Sequence, residues 1–194
     1  LKTPLKGFIS ASATGYYGST TTKTIFKETD KAGTDFLGKV CRLWEKSIFK
    51  FKEDKIRTVA LRTGIVLSKN GGALKKMRTP VITPLGDGKQ HMPWIHIDDL
   101  CELYIKAIED DRFEGAFNAI SSDHQSNISF SKAVAKIYKY PFLSIGAPKF
   151  ILRFVFGEMS TIILNGSRIS ANKIKQTGFK FKFNNLNDAL KNLI

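Results

Sequence analysis

Residues able to do chemistry fall at three places in this 194-residue chain. The first is Phe8-Ile9-Ser10-Ala11-Ser12-Ala13, an apolar run that turns into small residues, followed by Thr14-Gly15-Tyr16-Tyr17-Gly18. A serine hydroxyl can hydrogen-bond a substrate oxygen, and a nearby phenol can transfer a proton, so Ser12, Tyr16 and Tyr17 form the candidate catalytic group. Adjacent aromatics in a loop also serve as packing or gating groups, which is the competing reading of the two tyrosines. The second place is the turn Leu85-Gly86-Asp87-Gly88-Lys89 and the stretch after it. His91 lies in a loop there and can change charge near neutral pH. His96 falls in an expected buried strand, where a hydrogen-bonded structural histidine is the better reading. Asp98-Asp99 could be a carboxylate pair or a metal site, but a helix N-terminus accounts for both acids and no metal is expected. The third place is Arg62, at a strand end, where it could meet a phosphate or a substrate carboxylate, or pair with an acid such as Glu28 or Asp35.

Elements must position these residues. The run over 8–13 reads as a buried parallel strand ending at a ligand crevice. Gly33 to about Phe51 reads as a helix, with Phe36, Leu37, Val40, Cys41, Trp44 and Ile48 on one apolar face. Ile56–Leu61 is a second buried strand, Trp94–Ile97 a short one and Ala116–Ala119 another. A short helix runs from Gly71-Gly72 through Met77. Helices follow over Asp99–Glu109, capped by Asp98, and Ile128–Tyr138, capped by Ser129. Beyond Pro141 come a helical pair around Gly157, a helix over Ala171–Gln176, an alternating Phe179–Phe183 segment expected as a strand or edge, and a last helix over Asn187–Leu193. Alternating strands and helices predict an α/β fold with a parallel sheet.

Composition removes other classes. Apolar residues make up 42% and charged residues 25%, ordinary globular usage rather than that of a disordered chain. No run of about 18 apolar residues exists, so no spanning helix and no membrane role are expected. No signal peptide is visible, and Cys41 and Cys101 lack metal-ligand spacing, which fits a reducing cytoplasm. The 31 Lys+Arg against 17 Asp+Glu give a net charge of +14, with a pI near 9.8. Such a balance raises nucleic-acid binding, but no tract of five basic residues or RNA-binding aromatic signature is present, so the lysines read as solvated surface.

The motifs together resemble a known family. The run from Phe8 to Gly18 resembles the fifth-strand motif of extended short-chain dehydrogenases/reductases. Gly86-Asp87-Gly88-Lys89-Gln90 before Trp94-Ile95-His96-Ile97-Asp98-Asp99-Leu100 is similar to a later motif, and Leu61–Leu67 to the strand after the catalytic helix. Pro148–Leu164 and Gly178-Phe179-Lys180-Phe181 resemble the C-terminal domain of the atypical, nucleoside-diphosphate-sugar epimerase-like subgroup. The resemblance implies the C-terminal portion of a Rossmann-like sheet with its first strands absent (residues 1–119), and a small, mainly helical, substrate-side domain (residues 120–194). It implies NADP or NAD as cofactor, NADP favoured, with Ser10, Ala11, Ser12, Arg62, Thr63, Gly64, Ile65 and Val66 on the cofactor side. Thr14, His91 and Trp94 are implied on the substrate side, and Phe142, Phe150, Leu152, Phe154 and Phe156 as apolar pocket residues.

Two departures from that family shape the expectations. No G-x-G-x-x-G turn occurs in the sequence, so a partner segment of the same protein, lying upstream, is expected to supply it. The positions of the family's Tyr and Lys fall on Leu37 and Cys41, and Lys39 lies about 200° around the helix from the Tyr position. The resemblance and the retained Ser12-Ala13-Thr14 region imply hydride-transfer chemistry on a small substrate, whereas the missing relay pair favours the alternative. A non-catalytic dinucleotide-binding or sensor protein is the alternative.

Overall fold

The computed structural model describes residues 5–194. Strand β1 (Gly7–Ala13) enters the 3-10 turn Thr14–Tyr17, and the short strand β2 (Ile25–Phe26) follows. Helix α1 (Phe36–Ile48) leads to β3 (Arg57–Thr63), which runs almost directly into β4 (Ile65–Ser68). Then come α2 (Gly72–Lys76), β5 (Trp94–His96), α3 (Ile97–Glu109), β6 (Gly115–Ala119) and α4 (Asn127–Tyr138). The chain ends with α5 (Lys149–Phe156), α6 (Ser160–Leu164), β7 (Arg168–Ile169), α7 (Asn172–Gln176) and α8 (Leu186–Leu193).

The central sheet is parallel, in the order β1-β3-β6. Strand alternation gives it two unlike faces. Ile9, Val59, Leu61, Phe117 and Ala119 pack against Leu100, Leu103 and Ala107 of α3 in one apolar core. The opposite face, toward α1, carries Ser12, Arg62 and Asn118, which are aligned by the strand register. The second core joins Leu67, Trp94, Leu74 and Ile82 to Phe130 and Val134 of α4 and Leu190 of α8. Packing in the C-terminal lobe therefore crosses residue 119 and draws on β4 and β5.

Gly64 makes that arrangement possible. Its N–H donates to Ala119 O at 3.3 Å, whereas the next residue, Ile65, donates to Pro93 O at 2.7 Å. One continuous strand thus leaves β6 and joins β5 at this residue. A Cβ here would lie 2.5 Å from Pro93 O and 2.6 Å from Ile120 Cγ2. Backbone of a neighbouring segment cannot move aside cheaply, so only glycine fits.

Several local expectations change. On α1 the buried positions are Gly38, Cys41, Glu45 and Ile48, while Phe36, Val40 and Trp44 are exposed. A buried carboxylate on the inner face replaces the all-apolar stripe because it is paired, as described below. The cap of α3 is His96, whose Nδ1 accepts from the Asp98 N–H at 3.1 Å, and the cap of α4 is Ser126 rather than Ser129. The Phe179–Phe183 segment forms no strand. Its Lys182 and Phe183 N–H groups donate to the buried Asp99 carboxylate at 2.7 and 3.0 Å, taking the place of a ladder.

Gly64→Ala is expected to lower stability by about 2 kcal/mol or more through overpacking. A urea titration followed by circular dichroism measures this as a lower midpoint with an unchanged slope.

Candidate functional site

The polar face of the sheet is organised by Arg62, which is 3% exposed. Its Nε and Nη2 donate to Glu45 Oε1 and Oε2, both at 2.8 Å, a bidentate pair from α1 to β3. Its Nη1 donates to the Tyr17 phenol oxygen at 2.9 Å and to Glu28 O at 3.3 Å. The guanidinium carbon lies 3.4 Å from the centre of the Tyr16 ring. Burial works against the charge on Arg62, but the hydrogen bonds to Glu45 and the Tyr17 oxygen outweigh it and hold the pKa above the ordinary arginine value.

Besides Tyr16, the two other candidate catalytic groups, Ser12 and Tyr17, join this network. Ser12 is buried, and its Oγ donates to Glu45 Oε1 at 2.6 Å. The hydroxyl proton is therefore committed to Glu45, and the oxygen's remaining lone pair is the group available to a ligand. Tyr17 is buried and donates to Asn118 Oδ1 at 2.6 Å. Burial pushes its pKa up to about 12, against the smaller lowering effect of Arg62. Asn118 completes the network, its Nδ2 donating to Ser170 O at 3.0 Å and its N–H accepted by Glu28 Oε1 at 3.0 Å.

Of the other candidates, Ser10, Thr14, Thr63, Ile65 and Val66 are half-buried and Ala11 is exposed. Ser10, Ala11 and Ser12 lie on β1, Arg62 and Thr63 on the adjoining β3, Thr14 in the 3-10 turn, and Ile65 and Val66 on β4. The sequence contains no glycine-rich strand-to-helix turn of the kind that holds a pyrophosphate. Gly64 is half-buried and serves as the strand switch. His91 is half-buried, and its backbone N–H donates to Gly166 O at 2.9 Å. Burial and the nearby Arg168 and His124 hold its pKa below the usual histidine value. Trp94 lines no cleft: it is fully buried in the second core, with its indole N–H donating to Asp123 O at 3.1 Å. His96 is buried and stacked on Phe183 at 3.9 Å. Arg62 does pair with an acid, but the acid is Glu45, not the side chain of Glu28 or Asp35. Among the described residues, no group of three or more His, Cys, Asp or Glu is placed to hold a metal ion, and no helix is long and apolar enough to cross a membrane.

Sequence reasoning missed Glu45 and Asn118. Glu45 lies four residues after Cys41, a helical spacing that places both on one face. A lone acid on the buried side of a helix was the signal that could have found it.

Known proteins match this arrangement. The pattern of the NAD dependent epimerase/dehydratase family matches residues 52–119, and that of a domain of unknown function, DUF1731, matches residues 147–193. This chain thus resembles the epimerase family. An epimerase family protein of Staphylococcus epidermidis is 39% identical over 189 residues, which is 95% of this chain and 63% of the relative. The chloroplastic homolog of epimerase family protein SDR39U1 from Arabidopsis thaliana is 34% identical, over 94% of this chain and 53% of its own length. The crystal structure of human epimerase family protein SDR39U1 with NADPH superposes with a TM-score of 0.91 at 28% identity, covering 98% of this chain and 65% of that one. A nucleoside-diphosphate sugar epimerase of Corynebacterium glutamicum gives a TM-score of 0.77 at 28% identity, over 95% of this chain and 36% of that one. The Rossmann-like α/β fold and the atypical epimerase-like subgroup read from the motifs both hold. The chain spans 53% to 65% of the length of the Staphylococcus epidermidis, Arabidopsis thaliana and human proteins, and 36% of that of the Corynebacterium glutamicum protein.

Two outcomes test the network. Glu45→Ala strands a buried guanidinium and is expected to cost about 3–5 kcal/mol, read from denaturant unfolding. Tyr17 is expected to stay protonated at pH 10, so the difference in phenolate absorbance between the native protein and Tyr17→Phe should be near zero there. The sign follows from the raised pKa: an unfolded tyrosine releases its proton near 10, so this residue's contribution to stability falls as pH rises from about 10 towards 12.

Proposed function

We propose that this chain is the larger part of an epimerase/reductase-like protein that binds NADP(H) and transfers hydride to or from a small substrate. The observation that carries this is Ser12 at the carboxyl end of a parallel strand, the edge where such sheets bind ligands. Its hydroxyl is held by Glu45 with a lone pair to spare, suited to accept a hydrogen bond from a substrate hydroxyl. The NADPH in the human SDR39U1 structure supports NADP over NAD. The cofactor supplies the hydride chemistry when bound. This chain's residues orient: Ser10, Ala11, Thr63, Ile65 and Val66 line the cofactor side, Arg62 fixes Ser12 through Glu45, and Thr14, Tyr16 and His91 lie on the substrate side. A glycine-rich strand–turn–helix unit is the natural partner for β1, which among the described residues is paired along one edge only. The additional length of the relatives supports such a unit.

A second reading has its own observation. Leu37 and Cys41 occupy the positions of the proton-relay pair, and burial followed by the charge of Glu45 keeps the Cys41 thiol's pKa above its ordinary value. Tyr17 is held protonated by its surroundings. Both facts suit a protein that binds a dinucleotide without turning over a substrate.

The chain joined to a glycine-rich strand–turn–helix unit ahead of β1 is expected to quench NADPH fluorescence at micromolar concentration, and the 194-residue chain alone only weakly. No binding by the joined protein overturns both readings. A panel of carbonyl and alcohol substrates in stopped flow then separates them. Under the enzymatic reading Ser12→Ala lowers turnover by about 100-fold or more while NADPH binding persists. Binding without turnover by the unmodified protein selects the sensor reading.

A further inference from the structure

Helix α5 has six apolar residues among its eight, with Lys149 and Arg153 one turn apart on one side, yet only Leu152 is buried. Phe154 is 93% exposed and Phe150 72%. Met159 and Ile162 are exposed past Gly157, and Leu143 and Ile145 in the segment leading into α5. An exposed apolar patch of this kind marks an interaction surface, and a helix that pairs it with cations on one side is amphipathic. The two clefts, of about 470 and 370 Å³, are lined by other residues, so this face belongs to neither.

The charge around the patch says what it suits. Residues 142–147 run beside residues 82–85, through bridges from Ile82 to Phe142 and from Leu85 to Ala147. The segments 69–89 and 127–165 are thereby locked into one lobe. Together they hold ten Lys and Arg against two acids, and so carry +8 of the chain's +14. One of the acids, Asp87, is paired with Lys149 at 3.7 Å. Lys149 and Arg153 are on α5 itself, and Lys132 and Arg78 lie against the rings of Phe142 and Tyr138. More than half of the net charge that looks scattered along the sequence thus belongs to the lobe that carries the apolar face, with Lys149 and Arg153 on the face itself.

We propose that the α5–α6 face docks on an anionic lipid bilayer, its phenylalanine and aliphatic side chains entering the interface while the surrounding cations meet the headgroups. Apolar contact plus basic residues is the combination that holds interfacial helices on charged membranes. A second copy fits less well, because it would oppose two lobes of like charge. Nucleic acid fits less well too, because Ile, Val and Met neither stack on bases nor hydrogen-bond to them. This is contact with the surface, and needs no spanning helix.

Co-sedimentation of the 194-residue chain with vesicles tests it. The chain is expected to bind phosphatidylglycerol-containing vesicles, to bind phosphatidylcholine vesicles weakly, and to be released as salt rises. Phe150→Ser/Phe154→Ser is expected to weaken binding at least about tenfold. Both side chains are exposed, so the variant's melting temperature should match that of the parent and separate lost docking from lost folding. Lys149→Glu/Arg153→Glu should weaken binding to the anionic vesicles only. Three results overturn the proposal. They are no anionic-vesicle binding, equal binding by the Phe150/Phe154 variant, and a dimer or oligonucleotide complex that this variant abolishes when the parent binds no vesicles. Dinucleotide binding is not among the readouts, so the outcome is independent of the proposed hydride chemistry.

Discussion

The buried guanidinium of Arg62 is the constraint on which the polar face of the sheet depends. An unpaired charge at that depth would cost several kcal/mol, so the surrounding structure has to neutralise it. Glu45 does so with two hydrogen bonds, and this fixes where α1 lies on the sheet. The same carboxylate receives the Ser12 proton, and the same guanidinium holds the Tyr17 oxygen. One charged pair therefore sets the position of a helix and the orientation of two candidate site residues. Its energetic role is specificity more than stability: an apolar pair of similar size could pack as well, but would leave Ser12 and Tyr17 without direction.

This network also distinguishes the chain from the extended dehydrogenases it resembles. There a Tyr–Lys pair on the helix performs proton transfer. Here the helix presents Leu37, Cys41 and Glu45 to the sheet. The chemistry-bearing group on α1 has moved one turn along, and it pairs with a strand residue. Ser12 thus answers to a carboxylate, not to a phenol. Whatever bound partner the site takes meets an oxygen whose proton is already placed.

Much of the fold was legible in the sequence because its strands obey simple rules. Apolar, β-branched runs such as Ile56–Leu61 read as buried parallel strands, and Gly178, at a φ of 84°, follows the end of α7. What could not be read was long-range pairing. Asp99 looked like a helix-dipole acid, but it holds the backbone of residues 182 and 183, which lie more than 80 positions away. That contact removed the reason for Phe179–Phe183 to form a strand. Trp94 sits beside a functional-looking turn, and only the tertiary packing of α4 and α8 shows that it is core. Ser12 was legible as a hydroxyl near a strand end from the strand-to-loop transition. Glu45 was not, because an acid among apolar helix positions reads as solvent-facing until its partner is known. The lysines likewise looked evenly spread, and only the interlocking of two segments shows that most of the excess charge belongs to one lobe.

The crossing of one strand between two sheets at Gly64 has a mechanical consequence. The backbone carrying Arg62 continues, two residues later, into the lobe that contains β4, β5 and the C-terminal helices. A joint at that point would have to break ladder hydrogen bonds on both sides, so the lobe cannot swing there as a lid does. The outer lobe and the inner site are thus joined by one hydrogen-bonded backbone, from Arg62 through Ile65, without a loop between them.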